Sequence, residues 1–148
     1  MGAPAGRREE GAVSKPPLPQ AVSDALAHPW HATISTVRPD GQPVSVPTWY
    51  LFDGGRILVN MDAGRKRLEW LRSEPRVALS AMDPSEWLTH VSIQGRVVEL
   101  LDDEGLVDID RIATHYTGKP YAVRDRPRVS AWIEISSWHA WGRLKNVR

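Results

Sequence analysis

Residues 57–83 read ILVNMDAGRKRLEWLRSEPRVALSAMD, and the fold turns on how this stretch is parsed. Ile57, Val59 and Met61 alternate with Leu58 and Asn60, the period of a strand buried on one face. Asp62, Ala63 and Gly64 break that strand. A short helix is predicted over 65–73, with Leu68 and Leu71 three apart on its inward side. Glu74-Pro75 stops it, because the residue before a proline is pushed out of helical geometry. Val77, Leu79 and Ala81 then resume alternation as another strand. At the junction, Gly64, Arg65, Lys66 and Arg67 set three cations on or beside a helix N-terminus. Orphan N–H groups there already favour an anion, so a bound phosphate would relieve the crowding of positive charge. The same spacing also admits a solvated basic turn in which Arg65 pairs with Glu69 one turn on. Spacing alone leaves both readings open.

The remaining composition sets bounds. A chain of 148 residues, 41% hydrophobic and 25% charged, has the size and balance of one globular domain. A net charge of +1 argues against a general nucleic-acid or membrane partner while permitting a local basic patch. The absence of cysteine removes disulfides, thiolate nucleophiles and Cys-bearing zinc sites. No apolar run suits a signal peptide or a bilayer span, so a cytoplasmic location is the default expectation. Seven tryptophans stand against one phenylalanine. Indoles bury large areas but need a home for their N–H, which suits large core residues and equally an aromatic-lined pocket or a subunit interface.

Outward from the central stretch, residues 1–19 are rich in Gly, Ala, Pro and charge without periodicity and read as a mobile tail, leaving 20–148 as the folded domain. A short helix at 21–27 ends at Pro29, and a strand spans 31–37. Arg38-Pro39-Asp40-Gly41 is a turn, after which a strand runs over 43–52, interrupted by Pro47. Proline cannot donate to a ladder, so a bulge or an edge position is expected there. Asp53-Gly54-Gly55 turns the chain into residues 57–61. After 76–81 a long strand covers 88–101, with a bend expected near Gly95 where the alternating parity switches. The strongest helix is predicted over 102–116, from an acidic start along an apolar stripe that includes Ile109, Ile112 and Tyr116. A loop bearing Arg124, Arg126 and Arg128 leads to a last strand from Val129 toward Trp141. Six strands with small covering helices predict a mainly β (α+β) domain, an antiparallel barrel.

The ordered set of RPDGQP, VPTWYLFDGG, NMDAGRKRLEWLRSEPRVAL, HVSIQGRVVEL, IDRIATHYTGKPY and a terminal AWG resembles the pyridoxamine 5′-phosphate oxidase-like split β-barrel superfamily. Within it the chain is most similar to the flavin/deazaflavin oxidoreductases that use coenzyme F420. The resemblance spans about residues 22–142 and implies a homodimer with the cofactor in a groove between subunits. It implies that Gly64, Arg65 and Lys66 hold the cofactor phosphate, in place of a Ser-Arg-Lys turn whose serine is missing here. It implies that Val59 and Asn60 touch the ring and ribityl chain, and that Pro47, Thr48 and Trp49 lay backbone along the ring. His90 stands where the family carries a glutamine near the flavin; a lone histidine before a strand also suits surface packing. Arg124, Arg126 and Arg128 suit either an acidic cofactor tail or a solvated loop. Authentic pyridoxamine phosphate oxidases end in a Trp with a spaced Arg-Leu-His-Asp-Arg; Trp138-His139-Ala140-Trp141-Gly142-Arg143-Leu144 runs to Arg148 without that pattern, so vitamin B6 oxidation is not expected.

The five histidines show no metal-binding spacing, so no metal site is expected, and no serine sits on a nucleophile elbow. No side chain stands out as a catalytic acid or base, which suits chemistry carried by a cofactor. The resemblance implies an activity of hydride transfer from F420 to an electron-poor small-molecule substrate. The alternatives are an FMN-binding oxidase or flavin reductase on the same fold, or a non-catalytic flavin or tetrapyrrole binder. Single-stranded nucleic acid is not expected as a partner, because Trp49-Tyr50 lacks flanking Lys or Arg.

Overall fold

The computed structural model describes residues 14–147. Its elements, in order, are α1 (Gln20–Leu26), β1 (His31–Val37), β2 (Pro43–Thr48), β3 (Leu51–Asp53), β4 (Arg56–Asp62), α2 (Lys66–Ser73), β5 (Arg76–Met82), β6 (His90–Asp102), α3 (Val107–Thr117) and β7 (Arg128–Trp141). The strands form one antiparallel sheet in the order β2-β1-β5-β6-β7-β4-β3. Of the predicted tail, residues 1–13 lie outside the described residues, and Ser14 bridges to Trp138 through both of its backbone groups.

The two edges of this sheet, β2 and β3, are joined only by Trp49 and Tyr50. A link that short spans at most roughly 11 Å, so the sheet must roll up until its edges nearly meet. The result is a split β-barrel with seven strands rather than the six expected. The extra strand comes from the predicted run 43–52, which is divided at Trp49-Tyr50: its first part pairs with β1 and its second with β4. Pro47 falls on an edge strand, opposite Thr33, where its missing N–H costs no ladder bond to a further strand. Tyr50 turns into the core at 1% exposure, and its hydroxyl donates to the Leu26 carbonyl at 3.0 Å, tying the link to the end of α1.

Inward-facing side chains of β1, β4, β5, β6 and β7, among them Ile34, Val59, Leu79, Ile93 and Ile133, fill the barrel with Leu68 and Leu71 of α2. A second, smaller cluster lies on the outer face, where Ile109 and Ile112 of α3 pack on Leu58. The helix predicted over 102–116 begins later than expected. β6 continues to Asp102, a 3₁₀ turn (Glu104–Leu106) follows with Leu106 in the left-handed region at φ 58°, and α3 starts at Val107. Asp103 still caps the helix, but across that turn, accepting the Asp108 and Ile109 N–H groups at 2.9 Å each.

The expected bend near Gly95 is a register shift between Gln94 and Gly95, with another between Val97 and Glu99. At Gly95 the strands approach so closely that an added Cβ would overlap the Glu134 carbonyl oxygen of β7. Backbone cannot swing aside as a long side chain can, so Gly95→Ala should destabilise the protein by about 2 kcal/mol. Chemical denaturation followed by tryptophan fluorescence measures it.

Candidate functional site

The corner between β4 and α2 is built by Asp62. Its backbone carbonyl accepts the Arg65 N–H at 3.0 Å and its carboxylate accepts the Gly64 N–H at 2.8 Å, which closes the Asp-Ala-Gly turn. Arg65 is the extended N-cap residue of α2, and no side chain caps that helix. Among the described residues no carboxylate pairs with Arg65, Lys66 or Arg67, so the Arg65–Glu69 pair admitted by spacing does not form. Arg67 is half-buried, and its Nε is sealed from solvent with no hydrogen-bond partner. Burial, then the nearby Arg65 charge, pushes the Arg67 guanidinium below its ordinary value. An unmet buried cationic donor is a cost to folding.

Arg65 and Arg67 open onto a cleft of about 540 Å³. One wall is aromatic: Trp49, 38% exposed, stacks on Tyr116 at 5.3 Å between ring centroids and 12° between planes. Tyr116 is fixed by its hydroxyl, which donates to the Trp30 carbonyl at 2.8 Å. Burial pushes its pKa up to about 12. The floor is a polar network around Asn60. Its amide donates to Asp103 at 3.0 Å and to Ser130 at 3.1 Å, and accepts from Arg128 Nε at 2.7 Å. Arg128 also lies 4.7 Å over the Tyr121 ring. Cations at one corner, a flat indole–phenol wall and a rigid floor suit a planar molecule bearing an anionic group.

Five of the sequence-predicted residues line this cleft together: Pro47, Thr48, Trp49, Asn60 and Arg65. Val59 is buried in the core at 2% exposure, on the opposite face of β4 from Asn60. Gly64 and Lys66 are exposed outside the cleft lining, and the Gly64 N–H is already taken by Asp62. His90 is also outside it: it lies on β6 between Met82 and Trp141, with Nδ1 2.7 Å from the Leu88 carbonyl oxygen. Of the arginine loop, Arg124 pairs with Asp110 at 2.9 Å and Arg126 with Asp62 at 3.2 Å, while Arg128 lines the cleft. Tyr116, Tyr121 and Asp62 are lining residues that the sequence reading did not assign. The available signal for the tyrosines is a pair of phenols flanking the Gly118-Lys119-Pro120 turn that ends α3. Among the described residues no group of three or more His, Asp or Glu could hold a metal ion. None of their helices is long and apolar enough to cross a membrane.

A family model described as pyridoxamine 5′-phosphate oxidase matches residues 18–142. The chain belongs to that family. Membership places it among flavin-type oxidoreductases of the split-barrel fold. No curated protein matches the chain. Several solved structures share its fold. An F420 reductase superposes with a TM-score of 0.75 at 22% identity, covering 82% of this chain and 98% of its own. A conserved hypothetical protein from Mycobacterium tuberculosis gives 0.66 at 24% identity, over 86% of each chain. The group A Streptococcus protein HupZ gives 0.61 at 17% identity, over 88% of this chain and 97% of its own. At these identities the likeness concerns the fold.

Because folding keeps Tyr116 neutral, the stability it contributes is complete below about pH 10 and fades as pH rises through about 12. Urea denaturation across that alkaline range should show the decline, and Tyr116→Phe, which cannot ionise, should make it shallower, the remainder belonging to Tyr50, whose phenol pKa burial also raises. At neutral pH the same substitution removes the bond to Trp30 and should cost about 1 kcal/mol.

Proposed function

We propose that the protein is an oxidoreductase that binds the deazaflavin coenzyme F420 in this cleft and passes hydride to an electron-poor organic substrate. The observation that carries the reading is that Arg65 and Arg67 both line a flat-walled cleft and, among the described residues, neither has a carboxylate partner. A phosphate oxygen is the group best matched to two such guanidiniums, and charge-assisted bonds to it are worth about 1.5–3 kcal/mol each. The likeness to an F420 reductase favours a deazaflavin over FMN. Family membership alone accommodates both cofactors.

In this reading Arg65 and Arg67 hold the phosphate, with Lys66 and Gly64 flanking them at the exposed rim. Trp49 and Tyr116 fix the plane of the ring and keep water from one of its faces. Pro47 and Thr48 line its edge, Asn60 forms the floor backed by Val59, and His90 has no part in the cleft of its own subunit. The ring, once reduced, supplies the hydride. No side chain is assigned as a proton donor, because the open side of the cleft admits solvent.

The reading also includes a homodimer. The outer face of β1, β5 and β6 carries the partly exposed small residues Thr33, Ser35, Ala78, Ser80 and Ser92 beside a groove of about 680 Å³. Small side chains let a second sheet approach closely, and sedimentation should give twice the chain mass.

Titration of the purified protein with F420 and with FMN, followed by ring fluorescence, tests the assignment. Tight F420 binding and weak FMN binding are expected; the reverse would make the protein an FMN enzyme of the same fold. Arg65→Ala and Arg67→Ala should each weaken cofactor affinity about ten- to a hundredfold, the equivalent of one charged hydrogen bond. Lys66→Ala, altering an exposed charge at the rim, should weaken it by no more than about threefold. Unchanged affinity in the Arg65/Arg67 double variant would remove the phosphate from this corner.

A further inference from the structure

We infer that Asp62 sets the charge of the phosphate this corner accepts, weakening its hold on a doubly charged monoester relative to a singly charged diester; the inference rests on the cofactor reading above. Asp62 is the last residue of β4 and lines the same cleft as Arg65 and Arg67. One of its carboxylate oxygens accepts the Gly64 N–H at 2.8 Å, and the other accepts Arg126 Nη1 at 3.2 Å. The turn N–H that could have met an incoming oxyanion is therefore already committed, and a negative charge stands in the wall beside the two free guanidiniums.

The charged groups facing Asp62 come from three elements. Arg65 and Arg67 belong to the start of α2, Arg126 to the loop before β7, and Arg128 to β7 itself. Arg126 is tied to Asp62, and Arg128 to Asn60, so Arg65 and Arg67 are the cations left for a ligand. The Gly64 N–H first, and Arg126 after it, hold the Asp62 carboxyl below the usual carboxylate range, so it stays charged well into mild acid. A phosphate monoester gains its second charge near about pH 6, whereas a diester never does. That second charge is drawn to Arg65 and Arg67 but opposed by Asp62, which lines the same cleft. Arg65 and Lys66 are both exposed to solvent, so the second substituent of a diester held at this corner can run outward.

The test is a fluorescence titration with a matched pair of 5-deazaflavin ribityl phosphates, one a free monoester and the other its methyl diester. It compares the unaltered protein with Asp62→Asn, which keeps an acceptor for the Gly64 N–H while losing the charge. At about pH 8 the substitution should improve monoester affinity about three- to tenfold more than diester affinity. At about pH 5.5, where most of the monoester carries a single charge, the substitution should leave the ratio of the two affinities nearly unmoved. Asp62→Ser should reproduce the shift. A ratio that stays constant at the higher pH, or that moves equally at both, overturns the role of Asp62 while leaving the cleft assignment intact. Failure of the unaltered protein to bind either compound overturns the cofactor reading itself.

Discussion

The rest of the molecule depends on the two-residue tie between opposite edges of its sheet. Trp49 and Tyr50 carry the chain from the end of β2 to the start of β3, the first and last strands in the sheet order. Closing the barrel with so short a link forces the two side chains to opposite sides of the wall. Tyr50 goes inward and is anchored by its hydroxyl to the end of α1. Trp49 goes outward and stacks on Tyr116 of α3. The aromatic wall of the cleft is thus a by-product of barrel closure, and its position is as rigid as the core that holds Tyr50. A site placed this way needs little ordering when a flat ligand arrives, which favours affinity by lowering the cost of organisation.

The cation corner obeys the opposite logic. Three positive residues at the N-terminal end of a helix run against its dipole, and a half-buried arginine with a sealed, unpaired Nε runs against the rule that buried donors are met. Folding is not improved by either feature. The elements around it supply the compensation: Leu68 and Leu71 bury α2 on the core, and Asp62 stitches the preceding turn. A locally unfavourable charge arrangement on a well-packed support is the pattern expected where a site is organised for something the chain itself does not contain.

Much of this was legible in the residues, and the exceptions have physical causes. Alternation in Ile57, Val59 and Met61 and in Val77, Leu79 and Ala81 marks strands whose inner faces are buried, as found. The division of 43–52 leaves no trace, because Val44, Val46, Thr48, Tyr50 and Phe52 keep one parity across the link even though the pairing partner changes from β1 to β4. Periodicity reports which face is inward, not which strand lies alongside. The acidic start after Asp102 signals a helix cap correctly, but the cap reaches across a 3₁₀ turn, and its left-handed Leu106 is not a residue that advertises such a conformation. At the corner the cation cluster is plain in the sequence. Whether Lys66 or Arg67 faces the cleft depends on how α2 is rotated against the core, a tertiary fact. Tyr116 was legible only as one more member of an apolar stripe, since a stacked wall residue and a core residue occupy the same helix face. His90 was singled out by its match to a family glutamine rather than by any spacing, and β6 sets it between Met82 and Trp141, outside the cleft lining of its own subunit.

The floor of the cleft shows how position and chemistry divide. Asn60 has its donors and its acceptor satisfied by Asp103, Ser130 and Arg128, so it holds β4, β7 and the start of α3 in one frame rather than reaching for a ligand. Ser130 extends that frame by donating to Asp108 at 2.7 Å, and Asp103 extends it by capping α3, which carries Tyr116 at its other end. A single hydrogen-bonded network therefore fixes the floor and, through α3, the wall. The residues that remain unmet are the two arginines. In the proposed reading, with floor and wall fixed, discrimination between planar ligands would rest on what those arginines grip and on what Asp62 withholds.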